Sequence, residues 1–307
     1  MAEPVDWDAL QAFLAVVESA SFSRAAETLH ITQPAVSKRV QALEASLGVR
    51  LFDRVGKRVF LTDAGRLLEP RARSLVADAR DTETLLRNLH ARVDGKLKLA
   101  TSHHIGLHRL APILRAYSKQ YADVSLDIQF VDSEDAHDLV AAGDVELGVV
   151  TLDPAGDDRV RTLPLWRDPL DFVAAHDHAL AGKKAISLAE LGACPAILPG
   201  MNTYTGRIVE ERFRHAGIAL DAALATNYLE TIGMLVGIGL GWSVLPRTMV
   251  KPPLVALDVD CELLGRDLGC VTNPVRTLSN PARAFIDVLR GYSDLGANPA
   301  LASQPGF

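Results

Sequence analysis

The sequence predicts an α/β protein with a small helical head, a long amphipathic connecting helix and a larger body of alternating strands and helices. Three patterns carry that expectation. Two short helical segments flank a break between residues 21 and 48, and apolar or small residues repeat in strict four-three spacing from Leu68 to Val93. From Leu97 onward, short apolar runs alternate with helical patterns. At 307 residues the chain can form two or three domains, each with its own core.

In the head, Ser23 is expected to cap a first helix that continues through Arg24, Ala25, Ala26 and Leu29. Thr32 caps the second, with Pro34 in its first turn, where no N–H is needed. Val36, Val40, Leu43 and Leu47 recur at helical spacing and predict one buried stripe, and Gly48 suits a left-handed stop. Gln33, Ser37, Lys38 and Gln41 lie off the stripe. Amides there suit base edges, and hydroxyl and ammonium groups suit phosphates or bases, so this face is expected to enter a DNA major groove. Ser23 and Pro34 complete the candidate set on the two helices.

The charge distribution agrees. The whole chain carries a formal charge of −6, which by itself argues against nonspecific nucleic-acid binding. Between Gln33 and Arg66, however, seven basic residues face three acidic ones, a local balance of +4 (7 − 3). Arg54, Lys57 and Arg58 flank Gly56 between two apolar runs, which predicts a β-hairpin wing. Arg54 and Arg58 are its candidate contacts to phosphate or minor groove.

Leu68, Ala72, Leu75, Ala79, Thr82, Leu86, Leu89 and Val93 form the four-three repeat, which is a seam for another helix. The partner is either this chain or a second copy. A second copy is favoured, because a two-fold axis would present two reading helices to a partly palindromic site. The candidate dimerisation residues are Leu68, Ala72, Leu75, Ala79, Leu86 and Leu89, and Asp94-Gly95-Lys96 is the expected hinge. Beyond it, strands are expected at 97–101, 125–131, 146–152, 171–175, 196–198, 224–227, 241–245 and 254–259, with helices near 105–120 and 134–142. Such alternation predicts largely parallel sheets.

Three loops between strand and helix assemble the candidate ligand site. Thr101-Ser102-His103-His104 offers hydroxyls and N–H groups to an anion. The second loop, around Asn202, Thr203 and Arg207, adds donors and a possible carboxylate partner, and the third carries Tyr228 and Glu230. Thr151 ends the strand nearby. His103, His104 and His108 lack an evident further ligand in sequence, so one histidine assisting an anion is preferred to a metal. The glycines of 237–246 run at every second residue. They fit neither a dinucleotide fingerprint nor a nucleophile elbow, and no catalytic pair or cofactor loop is visible. Cys194, Cys261 and Cys270 are widely spaced and read as reduced packing residues. No run of 18 apolar residues and no basic-then-apolar leader is seen, so a cytoplasmic protein without a membrane partner is expected.

The ordered run Ala25-Ala26, Thr32-Gln33-Pro34-Ala35-Val36-Ser37, Leu43-Glu44, Leu47-Gly48, Leu51-Phe52, Arg54 and Leu61-Thr62-Asp63-Ala64-Gly65 resembles the LysR-type transcriptional regulators. It is specific over the first 65 residues, and the rest follows by architecture. The resemblance implies a winged helix-turn-helix at 1–65 and a linker helix and hinge at 66–94. It also implies a periplasmic-binding-protein-like effector domain at 95–293. That domain would comprise one subdomain at 96–164 plus 268–292 and another at 165–267, followed by a disordered tail at 294–307. It implies a promoter-binding regulator without cofactor, dimeric or tetrameric, that answers to a small effector and meets RNA polymerase. Ala100-Thr101-Ser102-His103 looks most like the cysteine-biosynthesis regulator branch, where hydroxyl residues receive small anions. Thr101, Ser102, His103, Thr151, Asn202, Thr203, Tyr228 and Glu230 are the expected effector contacts.

Overall fold

The computed structural model describes residues 6–55, 58–90, 92–220 and 222–294. Gly56 and Lys57 of the wing turn, and the expected tail from residue 295, lie outside the described residues. The chain divides into two units, 1–87 and 88–307.

The first unit contains α1 (Trp7–Ser19), α2 (Phe22–Thr28), α3 (Gln33–Leu47), the hairpin β1 (Phe52–Val55) and β2 (Arg58–Leu61), and most of α4 (Asp63–Asn88). Phe13, Val16, Val36, Val40, Leu43 and Leu51 form its core. The cap of α2 is Ser21, not Ser23: Ser21 has extended backbone, and its hydroxyl accepts from Arg24 N at 3.4 Å. Phe22 is buried edge-on to Phe52, so the helix begins one residue before Ser23 can cap it. Thr32 caps α3 and Gly48 closes it at φ 69°, as expected. Leu47, placed in the buried stripe by spacing, is instead 39% exposed at the end of that helix.

The wing is tied to α3 through Glu44, whose Oε1 accepts from Leu51 N and Phe52 N. Phe52↔Leu61 and Val55↔Arg58 define the hairpin register. Thr62 Oγ1 donates to Arg50 O and accepts from Gly65 N, turning the chain into α4. A Cβ on Gly65 would lie 2.3 Å from Leu51 O, so the glycine of the Leu-Thr-Asp-Ala-Gly run is fixed by contact.

α4 begins five residues before the expected seam and ends at Asn88, so Leu89 and Val93 lie past its end. Leu68 and Ala72 pack into their own unit's core rather than waiting for a partner. Farther along, Leu75 (53%) and Leu86 (60%) are exposed and Ala79 is half-buried, so the unpartnered seam starts one heptad later than the spacing suggested.

The second unit is built on a seven-stranded sheet ordered β10-β6-β11-β5-β3-β4, with β9 also pairing β6. Its strands are β3 (Gly95–Thr101), β4 (Val124–Phe130), β5 (Leu147–Thr151), β6 (Arg161–Ala175), β9 (Ser243–Pro246), β10 (Leu254–Ala256) and β11 (Leu264–Thr272). Only β3 with β4 and with β5 pair in parallel. β11 runs antiparallel to β5 and β6, and β9 and β10 run antiparallel to β6. The sheet is mixed, which corrects the expectation of largely parallel pairing.

One strand, β11, and the first part of another, β6, escaped the sequence, since β6 was expected only at 171–175. Residues 161–170 carry Pro164 and Pro169, which punctuate an apolar run, yet both are accommodated opposite Gly269 and Gly265 of β11. β11 itself reads Leu-Gly-Arg-Asp-Leu-Gly-Cys-Val-Thr, with charges and glycines where a core strand is expected to be apolar. A smaller parallel pair joins β7 (Ala196–Leu198) to β8 (Ala222–Ala225), starting and ending two residues before the expected 224–227. β9 starts two residues after the expected 241, and β10 stops at 256 rather than 259.

α5 (His103–Ile105), a π-helical stretch at Gly106–Leu110 and α6 (Ala111–Gln120) follow β3 without a break, and α7 (Ser133–Ala142) follows β4. α8 (Leu188–Gly192), α9 (Tyr204–His215), α10 (Leu229–Gly237) and α11 (Asn280–Arg290) complete the helices. One core gathers Leu97, Leu99, Tyr117, Trp166, Leu268 and Phe285. Another gathers Phe172, Val209, Phe213, Trp242 and Val244, with the Trp242 and Phe213 rings stacked at 5.6 Å. β6 and β11 contribute to both. The Gly-rich stretch 237–246 is a helix-to-strand turn, in which a Cβ on Gly241 would meet Pro195 O at 2.3 Å. Cys270 is buried, and burial pushes its thiol up to about 12; Cys194 and Cys261 are free and half-buried. Among the described residues no helix is long and apolar enough to cross a membrane.

Candidate functional site

On α3 the buried stripe turns inward and leaves Gln33, Pro34, Lys38 and Gln41 exposed, with Ser37 half-buried among them. The neighbouring Arg39 is committed elsewhere: its Nη2 donates to Asp8 Oδ2 at 2.6 Å, tying α3 to α1. Ser23 is exposed on α2. Arg54 and Arg58 fall on the paired wing strands. The structure therefore groups the expected reading residues of α3 on one open face.

In the second unit a cavity of about 280 Å³ opens at the carboxyl ends of the parallel strands β3, β4 and β5. Crevices at that end are where ligands bind in open α/β sheets. Ser102, His103 and His104 form one wall, Thr203 to Thr205 and Asn227 to Leu229 form another, and residues 130–135 and Thr151 close the floor. Ser102 occupies the cap position before α5 with extended backbone, yet its hydroxyl makes no capping bond and remains available. His103 lines the cavity with its ring edge-on to Tyr228 at 5.3 Å.

Three expected contacts are not in the lining. Thr101 is buried, and its hydroxyl is spent on Val149 O at 2.7 Å. Asn202 is exposed beside Gly200. Glu230 is drawn away by His104 and His108, which approach its Oε1 at 3.3 and 3.0 Å. Thr203 does line the cavity and caps α9 as expected, so its hydroxyl is used on Gly200 O and Gly206 N. Arg207 lies over the Tyr204 ring at 4.7 Å.

The residues that sequence reasoning missed are the charged ones. Arg266 of β11 sits opposite Asp168 of β6 and is only 7% exposed. Its Nε donates to Asp168 Oδ2 at 2.9 Å and its Nη1 to Thr205 Oγ1 at 2.8 Å, while Nη2 has no partner among the described residues. Asp132 and Glu134 bridge the cleft: Asn227 Nδ2 donates to Asp132 Oδ2 at 2.5 Å, and Tyr204 N donates to Glu134 Oε1. Burial holds the Glu134 carboxyl above its usual range, against the hydrogen bonds that lower it. No local signal marked Arg266, because its strand was not legible.

Behind the floor, His137 Nε2 faces Thr151 O at 3.3 Å and its ring meets Tyr204 edge-on. Burial keeps the imidazole neutral by lowering its pKa below 6.5, outweighing the Thr151 carbonyl and Asp157. A native value below the unfolded one means that stability is fully present above pH 6.5 and is lost as pH falls toward the native value. The urea midpoint is therefore expected to drop between pH 7.5 and pH 5.5, and His137→Gln should flatten that slope. An unchanged slope in the variant would assign the acid sensitivity to other groups.

Residues 7–66 match the model of the bacterial regulatory helix-turn-helix proteins of the lysR family, and residues 90–294 match the LysR substrate binding domain. The chain belongs to the LysR family of transcriptional regulators. The RuBisCO operon transcriptional regulator of Allochromatium vinosum is 31% identical over 282 residues, covering 90% of this chain and 92% of its own. An uncharacterized HTH-type transcriptional regulator of Azotobacter vinelandii is 59% identical over 108 residues, 35% of this chain and 75% of its own. A full-length OxyR variant from Pseudomonas aeruginosa shares the fold at TM-score 0.68 and 23% identity, covering 94% of each chain. The chain is thus a transcriptional regulator with a DNA-binding helix-turn-helix and an effector-binding domain, not an enzyme, and it belongs to a family whose members form oligomers.

Proposed function

We propose that this regulator reads its promoter with Gln33, Ser37, Lys38 and Gln41 and steadies itself on the backbone with Arg54 and Arg58, acting in the cytoplasm. A second copy joins along the exposed part of α4 at Leu75, Ala79 and Leu86. The effector is a small metabolite with one anionic group. The observation that carries this reading is Arg266: a buried guanidinium in the lining of the cleft, whose Nη2 has no partner among the described residues. Such a donor left unmatched is unfavourable, and a carboxylate or sulfur oxyanion would satisfy it. Ser102 supplies a hydroxyl to the same group. Asp132 and Glu134 in the same lining favour a ligand whose other end carries hydroxyl or ammonium donors.

Effector binding would alter the relation between the lobes at 96–164 plus 268–292 and 165–267, which share β6 and β11, and through the oligomer the spacing of the DNA-reading heads. RNA polymerase would sense that change at the promoter. The test is a thermal-shift screen of the full-length chain against small carboxylates, sulfate and sulfur oxyanions, repeated with Ser102→Ala. A ligand at a hundredfold excess over its Kd should stabilise the regulator by about 2.7 kcal/mol. Loss of that gain in the variant, with promoter binding intact, is the expected result. A ligand that stabilises both proteins equally would remove Ser102 from the site, and silence across all anions would remove the anionic reading.

A further inference from the structure

One set of ligating groups stands at the edge of the cleft: His104 lines it, while His108 and Glu230 lie outside its lining. His104 Nδ1 and His108 Nε2 converge on the same Glu230 oxygen, at 3.3 and 3.0 Å. All three ligating atoms lie within 4.8 Å of one another. The histidines are four residues apart across the start of the π-helical stretch, with ring centroids 4.6 Å apart. Glu230 comes from another helix, in the first turn of α10.

The geometry points to a binding site for a divalent transition metal ion of the zinc class, held by His104 Nδ1, His108 Nε2 and Glu230 Oε1. With metal–ligand bonds of about 2.0–2.1 Å, neighbouring atoms of a tetrahedral zinc site stand about 3.4 Å apart. The two observed separations need only small adjustments to reach that. Two imidazoles and one carboxylate are a donor set that zinc, cobalt and nickel all accept.

Access and purpose are both legible. His108 is exposed and Glu230 half-buried, so an ion can enter and a water can complete the coordination, while His104 is buried and fixed. Ile105 and Leu110, beside the two histidines, belong to one apolar core, and Leu229 and Ile232, beside Glu230, belong to another. An ion here would pin these two parts of the second unit together at the cleft edge. Metal binding would then brace the cleft independently of the effector.

The experiment is a titration of the untagged, chelator-treated full-length regulator with cobalt(II), followed by visible ligand-field absorption and then displaced with zinc. One cobalt per chain with a tetrahedral-type spectrum is expected. His108→Ala and Glu230→Gln, each checked for folding by its thermal melt, should weaken binding at least about 100-fold. His215→Ala, an exposed histidine on α9, should leave it unchanged. No cobalt bound by the wild type would overturn the site, as would binding that survives undiminished in both ligand variants.

Discussion

Arg266→Met is expected to destabilise the effector-binding unit by about 3–5 kcal/mol, the penalty for leaving one member of a buried ion pair without the other. Asp168 is 1% exposed and its carboxylate accepts from Arg266 Nε. Without the guanidinium, a charge would stay buried between β6 and β11, and Thr205 would lose its donor as well. Methionine fills much of the same space, so packing alone would not produce a loss of that size. The double variant Arg266→Met with Asp168→Leu separates the two roles of the pair. Replacing both charges by apolar groups of similar volume is often neutral, so the double variant should regain most of the lost stability while remaining unable to bind an anionic effector. Urea midpoints of the three proteins, with the ligand screen repeated on the double variant, check this. A single variant less than about 1 kcal/mol below wild type would mean that water reaches Asp168.

That pair also marks where the sequence stopped being readable. The head was legible almost residue by residue, because its signals are local: Thr32 and Gly48 bound α3, and Val36, Val40 and Leu43 at helical spacing fix its buried face. The failures there come from tertiary contacts instead. Ser23 lost the cap to Ser21 because Phe22 found a ring across the unit, in a segment of sequence about thirty residues away. Ala72 was read as a residue of the dimer seam, whereas the same small side chain serves the chain's own core.

In the effector-binding unit, the loops were legible and their partners were not. Ser102, His103, Thr151, Thr203 and Tyr228 reached the cavity because strand-to-helix junctions of parallel strands share one end of a sheet. Arg266 and Asp168 are neighbours only through the register of β11 on β6; charges and glycines hid β11, and two prolines hid the part of β6 that carries Asp168. Glu230 was assigned to the effector for its place in a loop. Its actual partners, His104 and His108, lie more than a hundred residues earlier, a juxtaposition that spacing does not encode.

Gln33→Ala on α3 is expected to weaken binding to the cognate promoter by about 1–3 kcal/mol, roughly tenfold to a hundredfold, while leaving binding to a scrambled duplex unchanged. Gln33 is exposed in the first turn of α3, beside the Thr32 cap, where the helix end meets a groove most directly. Its amide can both donate to and accept from one base edge, and alanine can do neither. Since its side chain supports no core residue, the variant's melting temperature should match wild type. Lys38→Ala provides the contrast. An ammonium placed against phosphate weakens both duplexes alike and should lower the slope of log K against log salt by about 1. Fluorescence anisotropy on the two duplexes between about 50 and 200 mM salt separates the outcomes. If Gln33→Ala instead weakens both duplexes equally and shifts the salt slope, the residue contacts the backbone. Base reading would then fall to Ser37 and Gln41, the remaining non-ionic polar side chains on that face of α3.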